Sequence, residues 1–396
     1  MAGAIRARPV QFLTAHPMAT AVLYVMTGVL PLYLTSSQII SLNEELGFSA
    51  ARLGMATSTY FGIGALVSPY AGRLVQRRSA TFGLRAGSLF AAAACLLSAV
   101  AGQWWVLPIA TALCGISNSF MQVGSNIVLV RVAALERQGI SFGAKQGAIP
   151  LASMLAGVLL PVIGIAVGWR VTFLMAAVLA VTIFAIAPPV PEAPVRAEPP
   201  TVPKGKVPRP LLFLAIGGAC GGAAGNAVSF FVVPSAVHEG VSEAAAGTIL
   251  AVCSALVVGI RIGSGWLADR SRSSGHREMA WLLGLGVVGC SGLALVSGIP
   301  LYLVAMPLAM MGSWGWPGLV YFTVTSTNVD NPARASGVVL GGNLTGTLLG
   351  PLVVSQLAER EMYPAAWAFC AVISAGAMTA MILSNRAWRK VGAATA

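Results

Sequence analysis

The sequence predicts an all-α integral membrane protein of twelve transmembrane helices in two six-helix, pseudo-symmetric halves. Three observations carry that prediction. First, 57% of the 396 residues are hydrophobic and only 9% are charged. An ordinary soluble domain carries about 25% charged residues, so this chain cannot cover a water-facing surface. Second, the apolar residues gather in runs of roughly 20, the length that crosses a bilayer as a helix. The alternating segments of about ten residues that build a membrane barrel are missing. Third, the basic residues fall almost entirely on one side once the runs are counted as alternating crossings.

In order, the runs are 18–38, 52–71, 84–101, 105–130, 142–167 and 171–187. The polar turn Asn43-Glu44-Glu45 separates the first two, a basic loop (72–85) the second and third, and a charged loop (131–138) the fourth and fifth. Composition then changes. The stretch 188–210, PPVPEAPVRAEPPTVPKGKVPRP, holds too much proline for a helix and too much charge for lipid. It divides the chain into an N-terminal bundle (1–187), a linker (188–210) and a C-terminal bundle (211–396). The second set of runs is 211–233, 245–265, 279–297, 301–327, 337–357 and 365–383, followed by a basic tail.

Twelve crossings put nineteen of the 24 basic residues on the side of both termini and the linker. Three, Arg52, Arg170 and Arg360, fall opposite, and Lys145 and Arg261 remain inside helices. The bias expects both termini in the cytoplasm of a plasma membrane, a bacterial inner membrane. It also accounts for the net charge of +12 without nucleic acid as a partner. The six cysteines all lie in apolar runs without CxxC spacing, which predicts small packing residues and neither disulfides nor a metal site. Arg6 and Arg8 precede a full-length apolar segment, not the short one of a cleaved leader.

The halves repeat one another. Gly72-Arg73-Leu74-Val75-Gln76-Arg77 aligns with Gly265-Trp266-Leu267-Ala268-Asp269-Arg270, and Leu160-Pro161 in the fifth helix with Gly350-Pro351 in the eleventh. Such internal repeats mark secondary transporters. Over nearly its whole length the chain resembles the major facilitator superfamily, in particular its bacterial organic-anion members. The stretch Gly265-x-Leu267-Ala268-Asp269-Arg270 is similar to that superfamily's loop motif between paired helices. The copy after the second helix departs from it, with Gln76 where the acid stands. The stretches Gly157-x-x-x-Pro161 and Gly346-x-x-x-Gly350-Pro351 are similar to its proline-bearing motif, and Gly168-Trp169-Arg170 to its corner before helix six. The resemblance implies a central cavity lined by helices one, four, seven and ten, and a loop acid that pairs with helix ends and steadies the outward-open state.

Candidate site residues follow from the cost of polar groups in lipid. Arg261 either snorkels to the headgroups or faces the cavity, where a guanidinium matches a carboxylate with two parallel hydrogen bonds. The resemblance favours the second, because organic-anion members carry an arginine in helix eight. Lys145 opens the fifth helix and has the same two readings. Asn118, Gln122 and Asn126 stand four apart on one face of the fourth helix, where helix–helix hydrogen bonding is the alternative to substrate contact. Tyr24, Thr27, Gln38, Asn226, Trp314, Trp316, Tyr321 and Asn343 are weaker candidates that packing would also explain. Gly72, Arg73, Gln76, Arg77, Gly265, Asp269 and Arg270 form the gating set. No acid or histidine is expected in mid-membrane, so no intramembrane proton relay is evident. No cofactor is expected, and coupling to protons or to a counter-anion stays open.

The function expected is secondary transport of a small organic anion by a monomer in the lipid bilayer, through rocker-switch alternating access as symport or antiport. An exporter of drugs or other apolar or cationic compounds is the alternative. A membrane-embedded enzyme or non-transporting receptor is less favoured, since no nucleophile, metal cluster or acid–base pair lies at bilayer depth.

Overall fold

The structure, a computed structural model, describes residues 16–130, 138–187, 207–271, 274–295, 298–327 and 332–395. Among them every regular element is helical, and the helices form twelve successive rods. Helix α1 has two segments, Pro17–Ser37 and Ile39–Leu46; α2 is Ala50–Arg78, α3 Ala80–Ala99 and α4 Val106–Val130. Helix α5 is broken into Gln138–Gln146, Ala148–Leu159, a π-helical turn at Leu160–Gly164, and Ile165–Val167; α6 is Trp169–Ala185. Helix α7 has two segments, Arg209–Phe230 and Val232–His238; α8 is Glu243–Ser271 and α9 His276–Leu295. Helix α10 is split into Ile299–Trp314 and Pro317–Thr327; α11 is Pro332–Ala358 and α12 Tyr363–Thr395.

Ten rods are long and apolar enough to cross a membrane. Helix α2 falls short through its run of Gly, Ser, Thr and Tyr, and α6 through its 17-residue length. Most of the stretch 188–210 predicted as a linker lies outside the described residues, as do Arg6, Arg8 and the loop 131–137.

Local chemistry explains the boundaries. At the end of α1, Gly47 sits at φ 65°, and its N–H and that of Phe48 return to Asn43 and Leu42, satisfying carbonyls that the helix leaves open. Ser79 caps α3 by accepting from the Phe82 N–H at 3.0 Å. Pro161 lacks an N–H and would clash with the preceding turn, and α5 widens to a π turn there. Gly168 takes φ +114°, a backbone conformation that side chains oppose, and launches α6.

Three expectations are corrected. The segment 72–78 is the last two turns of α2, not a loop, and 265–271 ends α8 in the same way. Leu, Arg and Gln are good helix formers, and arginine stems lie along the helix while their heads reach out. Helix α12 likewise runs through its basic tail.

The repeat seen in sequence recurs in packing. Helix α1 packs on α4, α5 and α6, and α3 on α4 and α6; α7 packs on α10, α11 and α12, and α9 on α10 and α12. Even the kinks match: α1 breaks at Gln38 (φ −90°, ψ 12°) and α7 at Phe231 (φ −106°, ψ 12°). Between α7 and α11 the approach is backbone to backbone. A Cβ at Gly342, Gly346 or Gly350 would overlap the carbonyl of Ala215, Ala219 or Ala223, so small residues every fourth position set that contact.

By contacts the described residues form two compact units. One holds 16–130, 147–187 and 242–254; the other holds 138–146, 207–241, 255–271, 274–295, 298–327 and 332–395. The opening segment of α5 thus belongs with the second unit, and the opening of α8 with the first.

Candidate functional site

In the second unit, glycine lets three helix segments meet. A Cβ at Gly143 would overlap the Arg261 carbonyl, so the first segment of α5 lies directly on α8. Gly318, at the start of the second segment of α10, has its virtual Cβ 3.1 Å from the Gly143 Cα. Gly315, in the α10 break, faces Ile260. The junction brings two broken helix ends to one side chain. Arg261 is 1% exposed. Its Nε and Nη2 donate to the Trp314 carbonyl at 3.0 and 2.6 Å, and its Nη1 donates to the Gln146 carbonyl.

Trp314 ends the first segment of α10 and Gln146 ends the first segment of α5. Helix C-termini expose carbonyls and carry the negative end of the helix dipole, so a cation there satisfies both. The guanidinium also lies 5.0 Å from the Trp314 ring centroid, within cation–π range. Carbonyls are neutral acceptors; these bonds orient the guanidinium without cancelling its charge. The snorkelling reading of Arg261 is overturned: its head is inside protein. Lys145, adjacent to Gln146, is also buried, at 3% exposure.

The loop motif acts at the other end of the same α5 segment. Asp269 Oδ2 accepts from the Ile140 N–H at 2.9 Å, placing a carboxylate on the first turn of a helix. Gly265 is buried, and Arg270 stacks over Trp266 at 5.4 Å. In the first unit the matching positions end α2. Gln76 and Arg77 are exposed, Gly72 has open space about it, and Arg73 lies 5.8 Å over Tyr70.

The other candidates are placed as follows. Tyr24 is buried in the first unit, its hydroxyl donating to the Ile183 carbonyl at 2.9 Å, which ties α1 to α6. Asn118 is half-buried and hydrogen-bonds Tyr60 of α2, while its Oδ1 has no partner. Gln122 is half-buried and Asn126 exposed. Thr27 donates to Leu23 within its own helix, and Gln38 is buried with its amide on Thr172. In the second unit Asn226 donates to Gly222 of its own helix, Asn343 packs against Gly222, and Trp316 donates to Ser313. The Tyr321 side chain is outside the described residues.

Sequence reasoning missed the part played by Gln146 and Gly143. Their signal was the run Gly143-Ala144-Lys145-Gln146-Gly147, whose two glycines flank both the tight approach and the break. It also passed over Glu278, which lies buried in the first turn of α9 with neither carboxylate oxygen hydrogen-bonded.

The family model of the Major Facilitator Superfamily matches residues 12–313. The chain belongs to the major facilitator superfamily. Its twelve rods and repeated packing are those of that fold, and as a superfamily member it is a transporter, not an enzyme. Among solved structures the transporter is similar to a bacterial homolog of the human lysosomal transporter Spinster, crystallised inward-facing and unoccupied. The two share 14% identity over 94% of this chain and 98% of the other, with a TM-score of 0.74, a likeness of fold. A search of curated proteins finds no match to the transporter.

Proposed function

We propose that this superfamily member is a secondary transporter of a small organic anion of the carboxylate type, working as a monomer by alternating access, with Arg261 as the anchoring cation. The observation that carries the reading is the seat of Arg261: a buried guanidinium held on the carbonyls of Trp314 and Gln146. A carboxylate is a stronger, charge-assisted and bidentate acceptor for the same fork. On binding, it takes hydrogen bonds from the two helix ends. The α5 and α10 breaks are thereby loosened at the moment the anion is held, which links occupancy to movement of those segments. Lys145, one residue from the α5 break, supplies the second positive charge. The membrane is a bacterial plasma membrane with both termini cytoplasmic, and the coupled species is a proton or a counter-anion.

Arg261→Ala alone is a poor test, because stripping the donors from two buried helix ends costs on the order of 3 kcal/mol or more in stability. Arg261→Lys keeps the charge and loses the fork. The purified protein is heated with small carboxylates, inorganic anions, sugars and cationic amphiphiles. One carboxylate is expected to raise the transition, by about 2.7 kcal/mol of stabilisation at a hundredfold excess over its Kd. Arg261→Lys should still unfold cooperatively but lose that shift. A shift from cationic or neutral amphiphiles alone overturns the anion reading in favour of an exporter.

A further inference from the structure

A cavity of about 700 Å³ lies between α9 and α12, within the second unit, and none of the Arg261 junction residues lines it. Two helix stripes line it. On α9 they are residues 277, 280, 281, 284, 285 and 288; on α12 they are 378, 382, 385, 386 and 389. Both follow the spacing of three and four that keeps residues on one helix face. The helices run antiparallel, so their charged ends coincide. Arg277, Arg386 and Arg389 crowd the rim, all exposed, and no carboxylate lines the cavity. Below the rim the walls turn apolar through Leu285, Val288 and Ile382.

From Arg277 to Val288 the α9 wall descends about 16 Å at the rise of a helix, close to one leaflet of a hydrocarbon core roughly 30 Å thick. Trp281, 75% exposed, stands one turn below the rim, where amphipathic rings sit at a membrane interface. Gly284 keeps the groove open, since even a Cβ there would come within 3.3 Å of the Met378 sulfur. The frame behind is fixed. His276 bonds Ser384 at 3.1 Å, and Ser384 donates to the Pro210 carbonyl at 2.9 Å, joining the start of α9 to α12 and α7.

We infer that this groove is a binding site for one anionic phospholipid, its phosphate held by Arg277, Arg386 and Arg389 and an acyl chain laid along Leu285, Val288 and Ile382. Three arginines on one cavity with no carboxylate among its lining repel one another, and an anion relieves that repulsion. Basic pockets between transmembrane helices at a membrane face take anionic headgroups. Phosphate alone would leave the apolar descent unexplained, and a neutral lipid would leave the arginines unexplained.

The test measures binding to the whole purified transporter in neutral detergent, by native mass spectrometry and thermal shift. The probes are phosphatidylglycerol, phosphatidylcholine with the same chains, and glycerol phosphate. Phosphatidylglycerol is expected to bind and to raise the transition above the other two. Arg386→Gln with Arg389→Gln should weaken it on the order of 30-fold, and Gly284→Leu, which fills the groove without touching a charge, should also weaken it. Equal binding of phosphatidylcholine, equal stabilisation by glycerol phosphate, or full phosphatidylglycerol binding by the Gly284→Leu protein each overturns the proposal.

Discussion

Arg261 shows how far one side chain's chemistry can be read from its neighbours in sequence. Its cost in an apolar helix demanded a reason, and that much was legible. The reason was not, because its acceptors are backbone carbonyls of Gln146 and Trp314, 115 and 53 residues away, and carbonyls look alike in any sequence. Glu45 is the converse. It read as part of a polar turn, yet it pairs with Arg170 at 2.6 Å and accepts from the Trp169 indole at 2.7 Å. The hydrogen bond from Arg170 holds its carboxyl below the usual range, against burial and with help from Trp169 and the Arg170 charge. A depressed folded pKa means that the folded state binds the proton more weakly. The stabilisation is therefore full above the unfolded value of about 4.3 and is lost as pH falls through the folded one. Both partners are about half exposed, so the effect is at most about 1 kcal/mol. Thermal melts from pH 6 to 3 should show a steeper acid loss in the wild type than in Glu45→Gln; parallel curves would dismiss the pair as a contributor.

At the scale of elements, the apolar runs located the rods, but their ends, as at α12, which runs on to Thr395, and their breaks needed structure. Lipid exposure does not distinguish Gly72–Arg78 as helix from Gly72–Arg78 as loop; snorkelling arginines permit both. The π turn of α5 follows from Pro161, whereas the close approach of α8 to the first α5 segment at Gly143 is tertiary. The loop motif was legible as a pattern, and its mate was not, since any N–H at a helix start can accept that role. If Asp269 caps α5, Asp269→Ala should cost about 1 kcal/mol and speed exchange of the Ile140 amide about fivefold, with Asp269→Asn in between. Exchange unchanged at Ile140 in the alanine protein would show that the contact is not what secures that turn.

For the whole molecule, the charge bias gives an orientation that can be checked directly. Five native cysteines are buried and Cys220 half-buried, so they form a quiet background for an impermeant maleimide. Gln76 and Gly102 are exposed at opposite ends of their helices' run. Gln76→Cys is expected to react only after permeabilisation and Gly102→Cys in intact cells. The opposite pattern would invert the topology.

The amino-acid sequence by itself determined that the chain is a helical membrane protein, how its halves repeat and where costly charges fall within apolar helices. Those follow from composition and period, because a bilayer prices each residue almost independently of its partners. The tertiary structure alone decided what Arg261 holds, which helix end Asp269 caps, and that Arg277, Arg386 and Arg389 line one cavity. Each depends on which distant backbone or side chain comes within a hydrogen bond's length, and that is a property of packing, where small residues such as Gly143, Gly284 and Gly346 set the distances.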